Sequence, residues 1–86
     1  MAAGIASRMQ TMNWQDYIEI KLEVALGKPV FKGTRLTVEF ILERLGDGAS
    51  ADDLVQNYVG LTRDHVRAAA AYAAAVLRRD ELVYHA

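Results

Sequence analysis

The chain contains no cysteine and only one proline in 86 residues. The first absence excludes a disulfide framework and any thiolate metal site, and it is compatible with a reducing compartment. The second leaves Pro29 as the one place where a ring fixes φ and removes a backbone donor. Excess charge of one sign is also missing. Ten Lys and Arg stand against eleven Asp and Glu, for a net charge of −1. A strongly basic nucleic-acid binder working alone is thereby disfavoured, and any DNA contact has to come from a local patch. Long hydrophobic runs are lacking too. The longest apolar stretch, Ala68 to Leu77, is mostly alanine and falls far short of the roughly 20 residues of a membrane span. Residues 1–16 show neither the basic start nor the continuous apolar stretch of a secretion signal, so an intracellular, cytoplasmic protein without a membrane partner is expected. A chain this short makes a single domain that buries only about 60 to 65% of its unfolded surface. Dimerisation or a partner would supplement so thin a core.

Periodicity divides the chain. Ile5, Met9 and Met12 sit at helical spacing, but Gly4, Ser7, Thr11 and Asn13 dilute it, so residues 1–16 read as a flexible N-terminal arm. From Tyr17 the pattern sharpens. Ile18, Ile20, Leu22 and Val24 alternate with Tyr17, Glu19, Lys21 and Glu23, the period of two that predicts a strand with one wet face. Gly27-Lys28-Pro29-Val30-Phe31-Lys32-Gly33-Thr34-Arg35-Leu36 then predicts a hairpin with short strands around Val30-Phe31 and Arg35-Leu36. Gly33, third residue of the reversal Phe31-Lys32-Gly33-Thr34, supplies its positive φ.

Three helices follow, each with a start signal. Thr37 caps the first, whose Val38, Ile41, Leu42 and Leu45 share one face before Gly46 and Gly48. Ser50 caps the second, with Asp52 and Asp53 in its first turn and Ala51, Leu54, Val55 and Tyr58 on its apolar face. Thr62 caps the third, whose stripe Val66, Ala69, Ala70, Ala73, Val76 and Leu77 runs to Arg78 and Arg79. The expected fold class is mainly α with an α+β margin. A strand and hairpin over 17–36 precede a three-helix, homeodomain-like helix-turn-helix core over 37–80 and a tail at 81–86.

In that reading the second and third helices flank Val59-Gly60-Leu61. Gly60 takes a left-handed conformation, and Val55, Val59, Leu61, Val66 and Ala69 fill the buried positions between them. Gln56 departs from the pattern, standing four residues before the turn glycine where a small side chain is usual. The third helix would enter the major groove with Arg63, Asp64, Arg67 and Ala68 pointing away from the core. Arg63 and Arg67 have the reach for guanine edges or phosphates and His65 for a phosphate, while Asp64 opposes a polyanion. The alternative is an ordinary solvated helix start with Arg67 paired to Asp64. Lys32 and Arg35, with Lys28 beside them, would touch phosphates next to a docked helix. The alanine-rich run 68–75 is either a rigid rod or a surface that admits a second backbone, with Tyr72, Val76 and Leu77 as anchors for a sister chain or partner.

Chemistry is harder to find. The order of a phosphate-binding loop is absent around Gly33-Thr34, and His65 and His85 have no second metal ligand near them in sequence. No serine or carboxylate stands beside a histidine in a nucleophilic arrangement. A binding protein rather than an enzyme is expected, without metal or cofactor.

The segments LGKPVFKGTRL (26–36), VEFIL (38–42), YVGLT (58–62) and RAAAAYA (67–73) together resemble the DUF433 family, over roughly residues 17 to 80. The resemblance implies a small homeodomain-like three-helix protein of the VapB antitoxin type, encoded beside a PIN-like ribonuclease toxin. It further implies a prokaryotic antitoxin that binds and silences that nuclease and represses its own operon, with operator DNA as a second partner; the thin core and the alanine-rich helix, read by themselves, point to a homodimer. Thr37 and Val59 stand where family members commonly carry proline. A protein-interaction or dimerisation module without DNA binding is the alternative function.

Overall fold

The computed structural model describes the backbone of residues 12–85 and the side chains as far as Arg79. Two short antiparallel strands, β1 (Ile18–Glu19) and β2 (Val30–Phe31), precede α1 (Val38–Gly46), α2 (Ala51–Asn57) and α3 (Arg63–His85). The register pairs Ile18 with Phe31 and Glu19 with Val30. The fold is mainly α with a small β element, as the periodicities predict.

The reversal after β2 forms as its glycine requires. Thr34 N–H donates to the Phe31 carbonyl at 3.0 Å, and Gly33 has φ +77°. The Thr34 hydroxyl donates to the same carbonyl at 2.8 Å and accepts from Leu36 N–H at 3.1 Å. Arg35-Leu36 does not become a strand. The returning leg makes only a bridge between Val30 and Thr37, because the chain must enter α1 at once. Val38 N–H donates to the Pro29 carbonyl at 2.9 Å, so the last turn of the hairpin and the first turn of the helix are one piece.

The eight-residue strand expected from Tyr17 is a correction. Only Ile18 and Glu19 pair. Beyond them Val24 N–H bonds Lys21 O and Gly27 N–H bonds Val24 O, so reverse turns take the backbone groups a longer ladder would use. Ala25 and Leu26 adopt left-handed φ of 51° and 57° ahead of Gly27 at 85°, a conformation that costs a non-glycine residue about 1–2 kcal/mol. Alternation marks two faces only where a partner strand is present to define them. Here Ile20 and Leu22 remain exposed.

Residues 12–16 also differ from the expected arm, whose residues 1–11 lie outside the described ones. Trp14–Asp16 form a 3-10 turn, and Trp14 meets the Tyr72 ring edge-on at 4.9 Å. A large aromatic surface gains more from that contact than the chain loses by ordering a few residues. At the other end, α3 does not stop near Arg79 but runs to His85, since Asp80 to Tyr84 contain no glycine or proline to end it.

The helix signals hold. Phe40 N–H donates to the Thr37 side chain at 3.0 Å. At the end of α1, Gly48 N–H bonds Leu45 O and Ala49 N–H bonds Arg44 O, a Schellman closure with Gly48 at φ +108°. The core gathers Ile18, Phe31, Val38, Ile41, Leu54, Leu61, Val66, Ala68 and Ala69, drawing on both strands and every helix. Phe31 is fully buried at its centre. Phe31→Ala is expected to cost about 3–5 kcal/mol, read as a fall in the urea midpoint with little change in slope. Thr37→Ala should cost only about 1 kcal/mol in the same assay.

Candidate nucleic-acid and partner interface

The unit proposed to meet nucleic acid is α2, its turn and the start of α3. Ser50 opens α2 with a reciprocal cap. Its side chain accepts from Asp53 N–H at 3.0 Å while Asp53 Oδ2 accepts from Ser50 N–H at 2.9 Å. The backbone donor first, and the Ser50 hydroxyl second, hold the Asp53 carboxyl below its ordinary value of 3.8. At the far end Tyr58 closes the helix through Leu54 O and sets its ring edge-on to Phe40 at 5.6 Å. Gly60 is left-handed at φ +88°, as the turn requires, and Leu61 drops into the core.

Val59 does not. Expected among the residues locking the two helices, it is 99% exposed, while Val55 is half-buried and Leu61, Val66 and Ala69 are buried. With Gly60 left-handed, the chain turns so that Leu61, not Val59, faces inward. Gln56 lies on the exposed side of α2, so its size does not hinder the approach of α3.

His65 plays a different part from the one its chemistry allows on paper. Its Nδ1 accepts from Thr62 N–H at 3.0 Å and lies 2.8 Å from the Thr62 hydroxyl, while His65 N–H donates back to Thr62 Oγ1 at 3.3 Å. The imidazole thus takes the place a glutamate holds in a capping box. Its ring meets Tyr17 and Phe31 edge-on at 5.4 and 5.5 Å. Capping and packing occupy a side chain that sequence alone assigns to a phosphate.

Both arginines are exposed at the start of α3, and each faces a carboxylate. Arg63 pairs with Asp52 across the turn, and Arg67 with Asp64 at 3.4 Å. Lys28 reaches Glu39 at 3.1 Å. Lys32 and Arg35 are exposed and have no ion-pair partner among the described residues. Ala68, expected to face outward with the arginines, is fully buried instead, and Ala70, expected inside, is exposed. A run of alanines carries no size contrast to fix the rotation of a helix. The larger side chains fix it: His65 against Phe31 and Tyr72 against Trp14 turn Ala68 and Ala69 inward.

Of the expected anchors for a partner, Tyr72 is taken by Trp14 and packs on the core, Val76 is half-buried and Leu77 is 60% exposed. Sequence reasoning missed a second apolar surface, the loop after β1, where Leu22 and Leu26 are 80% and 90% exposed. Its signal was present in Gly27, but strand-like alternation masked it. Among the described residues no cluster of three His, Asp or Glu side chains could hold a metal ion, and no helix is long and apolar enough to cross a membrane.

Compared with known proteins, residues 18–73 match the family described as "Protein of unknown function (DUF433)". The match opens at β1 and closes within α3, one residue beyond Tyr72. No curated protein and no solved structure matches the chain.

The Asp53 cap generates a pH prediction. A carboxyl held below its unfolded value contributes stability that is complete above the unfolded pKa and is lost as pH falls through the native one. Thermal unfolding followed by circular dichroism from about pH 5 down to about pH 2 is expected to show a decline that is shallower in Asp53→Asn than in the parent. Equal slopes would remove Asp53 from the acid response.

Proposed function

The chain belongs to the DUF433 family, and on that premise we propose that it is an antitoxin-like binding protein that neutralises a PIN-like ribonuclease by direct contact and regulates its own operon together with that partner. The observation that carries this reading is the exposure of Leu22 and Leu26 on the loop after β1. A small domain gains nothing in water from holding two leucines outward, one of them, Leu26, on a left-handed backbone, whereas a protein partner turns both into buried contact area. Ile20, 55% exposed, lies on the same loop. That exposure supports a reading in which the nuclease docks on this loop.

DNA contact takes second place for an electrostatic reason. Arg63 and Arg67 stand where a helix-turn-helix would read the major groove, yet Asp52 and Asp64 already neutralise them. A phosphate would have to displace a carboxylate at each, and the carboxylates would then face the polyanion. Few counterions are released by such a monomer, so binding alone is weak, while an assembly with a partner multiplies the contacts. The same two ion pairs favour the second reading, a protein-interaction module with no DNA role.

Fluorescence anisotropy on the DNA upstream of the gene, titrated with salt with and without the protein encoded next door, separates the two. Saturable binding that beats scrambled DNA, strengthens with the neighbour and loses salt dependence in Arg63→Ala/Arg67→Ala is the expected result. Absence of DNA binding under both conditions, with complex formation intact, selects the interaction module. On the protein side, Leu22→Ser/Leu26→Ser is expected to weaken the nuclease complex by about a hundredfold, at roughly 1.4 kcal/mol for each lost leucine contact. Undiminished binding would move the contact away from this loop.

A further inference from the structure

The cap of α3 differs in kind from the caps of α1 and α2. Thr37 and Ser50 accept a backbone bond through a hydroxyl, and the side chain that answers Ser50 is the Asp53 carboxylate. Thr62 likewise accepts from His65 N–H, but here the answering group is an imidazole. Its Nδ1 accepts from Thr62 N–H at 3.0 Å. Accepting there requires a bare nitrogen, so the neutral ring carries its proton on Nε2. Imidazole is the side chain whose ordinary titration falls between about pH 5 and 8. The carboxylate that does the same work for α2, held below its ordinary value, stays charged throughout that range.

We propose that His65 is an acid-sensitive latch on the start of α3, closed when the imidazole is neutral and opened by its protonation. With a proton on Nδ1 the ring becomes a donor facing Thr62 N–H, and two donors cannot bond each other. The Thr62 hydroxyl, 2.8 Å away, can still accept from the ring, so one contact survives and one is lost. The first turn of α3 thereby loses a cap bond and gains a cation at the end where the helix dipole disfavours positive charge. The ring is not free to swing clear, because Tyr17 and Phe31 hold it edge-on at 5.4 and 5.5 Å. Both aromatic rings also attract a cation, so the misfit falls on the Thr62 cap.

The surroundings offer the charged ring no compensation. Phe31 brings no titratable group from β2, and Tyr17 brings only a phenol from the segment before β1. On α2, Asp52 is engaged by Arg63, and on α3 itself Asp64 is engaged by Arg67 at 3.4 Å. Among the described residues no carboxylate lies within ion-pair distance of the imidazole. What the latch secures is the corner between α2 and α3. Leu61 and Val66, on either side of the cap, are buried in the core, and Arg63 crosses the same corner to Asp52. Acid therefore loosens the turn that sets the angle of α3 and leaves the loop after β1 as it is.

The device lies within this chain and does not depend on the nuclease reading. Urea unfolding at about pH 7.5 and about pH 5.5 spans the imidazole range while staying above that of carboxylates. The ratio of folded to unfolded chain is expected to fall about fivefold between them, the size of a lost helix cap. His65→Gln places in the capping box an amide oxygen that accepts at either pH, and its ratio should be the same at both. His85→Gln removes the other imidazole of the chain and should fall as the parent does. In the parent, the Thr62 amide proton resonance should move upfield over the same range as its acceptor is lost. That resonance decides the matter even if the glutamine variant fails to fold. A parent equally stable at both pH values, a glutamine variant that falls as far as the parent, or a Thr62 resonance that does not move would overturn the proposal.

Discussion

Phe31 is the residue on which the rest of the molecule depends. Its side chain is fully buried, its N–H bonds Leu36 O, and its carbonyl accepts from both Thr34 N–H and the Thr34 hydroxyl. Its ring also receives the edge of His65, the residue that caps α3. One residue, through its backbone and its ring together, therefore ties the sheet, the reversal before α1 and the start of α3 into a common centre. In a domain this small there is no second core to compensate if it is lost.

That centre determines what the surface presents. Because His65 and Tyr72 are drawn inward by Phe31 and Trp14, α3 is rotated so that Arg63, Arg67, Ala70, Ala74 and Leu77 face outward. The rotation gives the helix a basic start followed by a shelf of small residues. Carboxylates within reach of the arginines then reduce what the basic start offers to a polyanion.

Much of this was legible from residue order alone. Thr37, Ser50 and Thr62 each open a helix, Gly33 and Gly60 take their left-handed turns, and α1 and α2 follow the apolar spacing. These features are local, and local chemistry decides them. What could not be read depended on distant partners. Alternation at Ile18 to Val24 looked like a long strand because nothing nearby in sequence reveals that β2 is two residues long. The alanine run could not reveal its own rotation, and the histidine taken for a phosphate ligand proved to be a cap with two aromatic neighbours. The family resemblance read from the glycine-rich hairpin and the alanine-rich helix agrees with the match over residues 18–73.

The central claim is that this scaffold exists to hold a partner protein through the apolar loop after β1. Amide hydrogen exchange of the chain, alone and mixed with the PIN-like ribonuclease proposed as its partner, tests that claim most directly. New protection across residues 20–27 on mixing is the predicted result, with the already buried amides around Phe31 unchanged. A complex that leaves 20–27 exchanging as before, or no complex at all, would contradict the account.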